Sequence, residues 1–345
     1  MPDAPAPKSI LIIRPSALGD VARSVPVLAS LRAAYPTARI DWLVRDAFAP
    51  VIASHPALSN VVPFPRKELS QWFLRLQWGK IGAYLRSLRE PAYDLVLDCQ
   101  GLARSGWLAW ATRAPRRIGS RDARELGWLP MTQRVRTPKV MHTVDKMLAL
   151  VEAAGAPALK TTEACRLYSA PADRAWLAQQ VFARHRYVVL APTSAWPAKE
   201  WPAERFATLA THITGKSVAV VLVGAANERP RILPVLDIAQ RNSLVIDRVG
   251  QTSVGQLMAI IEGSALVVAN DSASLHIGMG FDRPLIALLG PTDPALACPY
   301  ARLCDVVQHV QQEDEFYFRD DRSAAMIRRI SVEEVIARAD ERLRG

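Results

Sequence analysis

The chain has 345 residues, half of them hydrophobic and 22% charged, with a mean hydropathy of +0.05; that is the composition of a soluble globular protein, too long for one ordinary core, so two domains are expected. Lys and Arg number 43 against 33 Asp and Glu, a net +10, which calls for an anionic partner; without a helix-turn-helix, zinc-finger or RNP pattern, nucleic acid is the least favoured one. Cys99, Cys165, Cys298 and Cys304 are scattered with no CxxC or His-Cys cluster, which argues against a zinc site or a disulfide framework.

Residues 10–13 (ILII) form an apolar run too short for a signal segment, ended by Arg14, and no stretch has the length of a membrane span, so a cytoplasmic protein is expected. The run reads as a buried strand; the turn RPSALG and Asp20 follow, and then an amphipathic helix carrying Val21, Val25, Leu28 and Leu31. Further strands are predicted at 39–44, 60–64 and 93–99. Helical segments separate them, the longest at 69–88, and a last helix at 142–154 closes the half. Residues 155–172 (GAPALKTTEACRLYSAPA) break all periodicity and read as a linker. The alternation restarts with strands at 187–191, 218–223, 266–269 and 285–289 and helices at 203–213, 231–240, 253–262 and 272–280. A charged helix at 331–343 has Ser331 and Glu334 spaced as a capping box. Two such halves, 1–160 and 173–325, predict an α/β protein of two doubly wound domains facing a cleft, followed by a separate segment at 326–345. No internal sequence repetition is visible.

Three stretches in the second half lie where predicted parallel strands end. In VVANDSASLHIGMG (267–280), Asp271, Ser272 and Ala273 open a helix and His276 lies four residues beyond Ser272; free N–H groups at a helix start suit a phosphate. The plain alternative is an Asp271 or Ser272 N-cap with His276 on the helix surface. VLAPTSAWPAKEWP (189–202) brings Thr193, Ser194 and Lys199, hydroxyls and an ammonium fit for phosphate, or simply a polar turn before a Pro-started helix. VVLVGAANERPR (220–231) brings Glu228, a ribose acceptor or a first-turn carboxylate answering the helix dipole. Together they describe a site for a nucleotide diphosphate donor, with no Walker A loop. In the first half, Arg66, Lys67, Arg124, His142 and Lys146 sit in loops. Residues 69–89 put Trp72, Phe73 and Leu76 beside Arg75, Lys80, Arg86 and Arg89. That helix either rests on an anionic membrane surface or, the favoured reading, packs on the sheet with snorkelling arginines.

With these stretches in view the chain resembles glycosyltransferase family 9, the bacterial lipopolysaccharide heptosyltransferases, and within it the branch that adds the first heptose of the inner core. The resemblance runs nearly end to end. It rests on IIRPSALGDV (12–21), DLVLDCQGL (94–102), DARE (122–125), PTSAWPAKEWP (192–202) and NDSASLHIGMGFDRPLIALLGPTDP (270–294). It implies a GT-B fold of two Rossmann-like domains, the acceptor in the first and the nucleotide sugar in the second, with the last helix crossing back onto the N-terminal domain. The donor it implies is ADP-L-glycero-β-D-manno-heptose. The acceptor it implies is the Kdo of Kdo-lipid A at the cytoplasmic face of the inner membrane, hence peripheral contact with that anionic surface. By the same resemblance Asp20 is the general base of an inverting transfer, and Arg14 is the sequence-near candidate to keep it ionised. Lys199, His276 and the N–H groups after Asp271 would hold the leaving diphosphate. Thr193 and Ser194 match positions near phosphates and sugar, and Glu228 the nucleoside side. Ser16 and Gly19 belong to the acceptor turn, and Arg66, Arg124 and His142 to the acceptor side. No DxD acidic pair is present, so neither a metal nor a cofactor is expected. Two positions depart from the family pattern: Ala273 stands where many members have Gly, and Pro15-Ser16-Ala17 replaces a Ser-Ser start. The alternatives are a family member using another sugar nucleotide or a later core acceptor, and a nucleotide-sugar binder without catalysis.

Overall fold

The computed structural model describes residues 6–317, 319 and 323–344. The chain divides into two compact units, Met1–Tyr168 and Ser169–Gly345. The first is built on β1 (Ser9–Ile13), β2 (Arg39–Val44), β3 (Asn60–Pro63), β4 (Leu95–Asp98), β5 (Arg116–Ser120) and β6 (Gln133–Val135). They form one six-stranded sheet in the order β3-β2-β1-β4-β5-β6, and each neighbouring pair is parallel. Ile10, Leu11, Ile12 and Ile13 are fully buried. A parallel strand covered on both faces must be apolar all along, which is why ILII shows no alternation.

The second unit repeats the plan with β7 (Tyr187–Ala191), β8 (Ala219–Leu222), β9 (Val245–Asp247), β10 (Leu266–Asn270), β11 (Leu285–Leu288) and β12 (Val306–Val307). Its sheet runs β12-β11-β10-β7-β8-β9, again wholly parallel. Counted from its own first strand, each sheet has the order 3-2-1-4-5-6. That is the Rossmann order, in which the connections diverge between strands 1 and 4 and leave a crevice at the strands' carboxyl ends. The crevice falls between β1 and β4 in the first unit and between β7 and β10 in the second. The repeat is one of topology, with no repetition of sequence.

Three sequence-based expectations are corrected. The single helix at 69–88 is two, Arg66–Leu74 and Trp78–Ser87; Leu76 between them takes φ 52°, a left-handed conformation rare for leucine that ends the first helix without a Gly or Pro to announce it. Strands β5, β6, β9 and β12 were not anticipated. β6, β9 and β12 have only 3, 3 and 2 residues, too few to carry a period. The C-terminal helix, Val332–Arg344, was expected on the N-terminal domain. Instead Val335 and Ala339 are buried within the core of the second unit, with Val332, Ile336 and Leu343 packed beside them. Asp340 of this helix meets His212 Nε2 at 3.1 Å and Lys216 Nζ at 2.5 Å, both next to the C-terminal end of the helix Ala203–Thr214. Its cap is half the expected box: Ser331 Oγ accepts the Glu334 N–H at 3.1 Å, while the Glu334 carboxylate turns to His309 and Arg338.

Candidate functional site

In the first unit the crevice is entered by the turn after β1 and the loop after β4. The helix Leu18–Arg23 puts Asp20 at its third position. There the carboxylate accepts the Ala17 N–H at 3.2 Å through Oδ2, as a first-turn acid does. It also pairs with Arg14 at 2.9 Å through Oδ2 and with Arg23 through Oδ1. Burial opposes its ionisation, but Arg14 and Arg23 with the Ala17 N–H outweigh burial and lower its pKa to about 2. A carboxylate offers about four lone-pair directions; Arg14 and the Ala17 N–H occupy Oδ2, and Arg23 takes one side of Oδ1. The side chain keeps 25% of its surface exposed.

The loop after β4 braces that turn. Arg14 donates to the Cys99 carbonyl, and the Ser16 N–H donates to Gln100 Oε1 at 3.3 Å. Asp98, at the end of β4, is buried and accepts the Gln100 and Gly101 N–H groups at 3.0 and 3.2 Å and the Ser105 hydroxyl at 2.9 Å. Burial pushes its pKa up to about 6 against those bonds and Arg14. Ser16, Gly19 and Asp20 therefore share one cluster with Arg14, Arg23, Asp98 and Gln100. Sequence reasoning missed Arg23, whose spacing of three from Asp20 was the available signal; nothing local marked Gln100. The other acceptor-side candidates are spread along the carboxyl edge of the same sheet. Arg66 is exposed and begins the helix after β3, at one side. Arg124, also exposed, follows β5, and its N–H bonds the Gly101 carbonyl at 3.0 Å. His142 follows β6 at the other side and caps Thr143–Ala153, its Nδ1 accepting the Val144 N–H at 3.2 Å. At sheet spacing, β3 and β6 lie about 10 and 14 Å from β1, so Arg66 and His142 flank Asp20 from opposite ends.

In the second unit the loop after β7 meets the helix after β10. Asn270, fully buried at the end of β10, clasps the two: its Nδ2 donates to the Pro192 carbonyl at 2.8 Å and its Oδ1 accepts the Trp201 N–H at 3.0 Å. Lys199 Nζ then reaches Asp271 Oδ2 at 2.6 Å, joined there by Thr292 Oγ1 at 2.8 Å. Ser194 Oγ donates to the Asp271 carbonyl at 2.8 Å. Burial of Asp271 is outweighed by Lys199, by His276 and by the Thr292 hydroxyl, so its pKa is lowered. Asp271 thus spends its carboxylate on Lys199 and Thr292 and does not cap the helix Ala273–Gly280. Ser272 occupies the N-cap position without a side-chain cap bond, and its buried Oγ meets no partner in the protein. His276 is buried, 5% exposed, and not the surface histidine of the plain alternative. What remains is an uncapped helix start beside an ammonium and a hydroxyl, an arrangement suited to an anion. The helix lies close on the sheet: a Cβ on Gly278 would stand 2.7 Å from Leu285 Cδ2.

Glu228 sits in the first turn after β8. Its Oε2 accepts Thr193 Oγ1 at 2.6 Å and the Ala225 N–H at 2.8 Å, and Arg231 lies 3.4 Å from Oε1. Arg231 also donates to the Ser194 carbonyl at 3.1 Å and pairs with Glu200, whose Oε1 takes the Ser194 N–H at 2.8 Å. Burial raises the Glu200 pKa against these partners. Arg231, Glu200, Asn270 and Thr292 were not singled out from sequence; Thr292 stood in the GPTDP motif, and the others carry no local mark of the contact they make. Among the described residues no three His, Cys, Asp or Glu side chains converge as a metal site, and no helix is long and apolar enough to cross a membrane.

Known proteins resemble the chain in sequence and in fold. The chain is 30% identical over 301 residues to lipopolysaccharide heptosyltransferase 1 of Pseudomonas aeruginosa, covering 85% of this chain and 81% of that protein. It shares its fold with the E. coli ADP-heptose lps heptosyltransferase II, at a TM-score of 0.78 and 22% identity over 97% of this chain and 98% of that one. It shares it equally with E. coli heptosyltransferase WaaC with ADP, at 0.76 and 23% over 97% and 99%. Residues 81–324, which run from the helix Trp78–Ser87 past β12, match the profile of glycosyltransferase family 9 (heptosyltransferase). By that match and that identity the chain belongs to glycosyltransferase family 9, and with its two Rossmann-type units it is a GT-B glycosyltransferase of the heptosyltransferase family.

Proposed function

We propose that the protein moves L-glycero-D-manno-heptose from ADP-heptose to the Kdo of a lipopolysaccharide inner-core acceptor, inverting the anomeric centre, with Asp20 as general base and without a metal. The observation that carries this reading is the Lys199–Asp271–Ser272 constellation at the β7/β10 crevice. As the anomeric C–O bond breaks, negative charge gathers on the leaving diphosphate. Lys199, His276 and the N–H groups that open Ala273–Gly280 would receive it, and preorganised donors of this kind stabilise a transition state without reorganising. Asp271 holds the ammonium in position. The relatives' names support the donor: one is an ADP-heptose enzyme and another is described with ADP.

Asp20 supports the other half of the reaction. With a pKa of about 2 it is ionised at any physiological pH, so it is always able to accept a proton. It is a weak base toward an unreacted hydroxyl. It becomes adequate as the acceptor oxygen bonds to the anomeric carbon and its proton turns acidic. Arg14 and Arg23 then hold the orientation of the carboxylate while it takes the proton. The basic surface, with a net +10, suits an acceptor carrying carboxylate and phosphate groups.

The test is product formation from ADP-heptose and Kdo-lipid A in EDTA, followed by mass and linkage analysis, with ADP-glucose and a heptosylated acceptor alongside. Asp20→Asn should lower the transfer rate by about 10²–10⁴-fold and leave the Kd for ADP within a few-fold. Full transfer by Asp20→Asn removes the base assignment. Loss of transfer in EDTA that added metal restores removes the metal-free account. Preference for ADP-glucose or for the heptosylated acceptor reassigns the substrate within the family.

A further inference from the structure

The helices Arg66–Leu74 and Trp78–Ser87 form a hairpin on the first unit whose two sides differ in chemistry. Leu69, Tyr84 and Leu85 face inward, partly buried against the core under Leu88 and Tyr93. The turn end faces solvent with Phe73 61%, Leu74 77%, Leu76 67% and Trp78 56% exposed. The Phe73 and Trp78 rings meet edge to face at 5.6 Å, so the tip is a formed aromatic cluster. Four large apolar side chains within six consecutive residues are not scattered surface leucines; a contiguous patch of this kind marks a contact surface.

Charge selects the occupant. Residues 66–89 hold six Lys and Arg against the single acid Glu68, and Arg66, Lys67, Arg75, Lys80 and Arg86 are exposed. A second copy would bring the same positive charge against this one. An anionic bilayer offers phosphates to the arginines and lysines and an acyl boundary to Phe73, Leu74, Leu76 and Trp78. We infer that this hairpin seats the N-terminal unit on an anionic phospholipid surface, its aromatic tip entering the headgroup layer and its basic residues resting on lipid phosphates. Arg66 heads the first helix, and nine residues of helix span about 13 Å. A glycolipid whose sugar reached Arg66 would thus have its lipid end at the tip; this clause rests on the proposed acceptor, the docking does not.

The test uses the full chain and vesicles, with neither donor nor acceptor, so it can fail while heptosyl transfer stands, and the reverse. Wild-type protein should co-sediment with phosphatidylglycerol/phosphatidylethanolamine vesicles and be released as salt rises. It should bind pure phosphatidylcholine vesicles poorly. The double variant Phe73→Ser/Trp78→Ser should lose at least about tenfold in partitioning, and Arg75→Glu/Lys80→Glu should lose binding to the anionic vesicles. Both should keep the wild-type far-ultraviolet circular dichroism and Kd for ADP. Equal binding by wild type and both variants, equal binding to neutral vesicles, or no vesicle binding by wild type would each overturn the proposal. So would a wild-type dimer in sedimentation velocity that Phe73→Ser/Trp78→Ser dissolves, which would assign the tip to a second copy.

Discussion

Asp20, in the first turn of the helix after β1, and Asp98, at the end of the neighbouring β4, are driven by their surroundings to opposite protonation behaviour. Two guanidinium groups hold Asp20 at a pKa of about 2, while burial among neutral donors lifts Asp98 to about 6. The consequences for stability have opposite signs. Asp20, depressed on folding, adds stability that is present above about pH 4 and lost as pH falls toward 2. Asp98, raised on folding, adds stability that is full below about pH 4 and is lost as pH rises through 6; its shift corresponds to about 3 kcal/mol. Denaturant titrations at pH 4.5 and 7.5 should therefore show a component favouring the lower pH. Asp98→Asn, which keeps an acceptor for Gln100 and Gly101 and cannot ionise, should reduce that component. An unchanged difference between the two pH values in the variant would mean that Asp98 does not titrate in this range.

At the scale of the element, the helix Val332–Arg344 shows how an amphipathic stripe finds its partner. Val332, Val335, Ile336, Ala339 and Leu343 recur at helical spacing, and that stripe can be seen in sequence. Which surface it covers cannot, because any apolar groove satisfies it equally. Asp340, set between His212 and Lys216, and Arg342, 2.8 Å from Asp305, key it to the second unit. Val335→Asp should place an unpaired carboxylate in that core and cost at least about 3 kcal/mol. Thermal unfolding should register the loss together with weakened ADP binding, whereas Glu333→Ala on the exposed face should change neither. ADP binding that survives intact in a destabilised Val335→Asp protein would separate this helix from the proposed donor site.

Over the whole molecule, each unit closes its own six-stranded sheet around its own core, so a ligand of one unit should act on that unit's unfolding. ADP at about a hundredfold its Kd adds about 2.7 kcal/mol to whatever unfolds with its site. Calorimetry should show ADP raising the transition of the second unit by several degrees, and a shift confined to the first unit would relocate the nucleotide site. The sequence by itself determined the alternation of strand and helix, the apolar strand cores and the motifs at strand ends, since a strand buried on both faces must be apolar and a turn before a helix must carry turn chemistry. It also showed Asp20, Lys199, Asp271 and Ser272 as candidates without deciding between cap and ligand site. Tertiary structure alone decided that Asp271 turns to Lys199 rather than to the helix start, that Arg23 joins Arg14 on Asp20, and that short strands such as β9 and β12 complete a sheet. It also opened the hairpin after Arg66 and laid the last helix on the second unit. Those outcomes depend on contacts between residues far apart in the chain, whose energies no local pattern of side chains encodes.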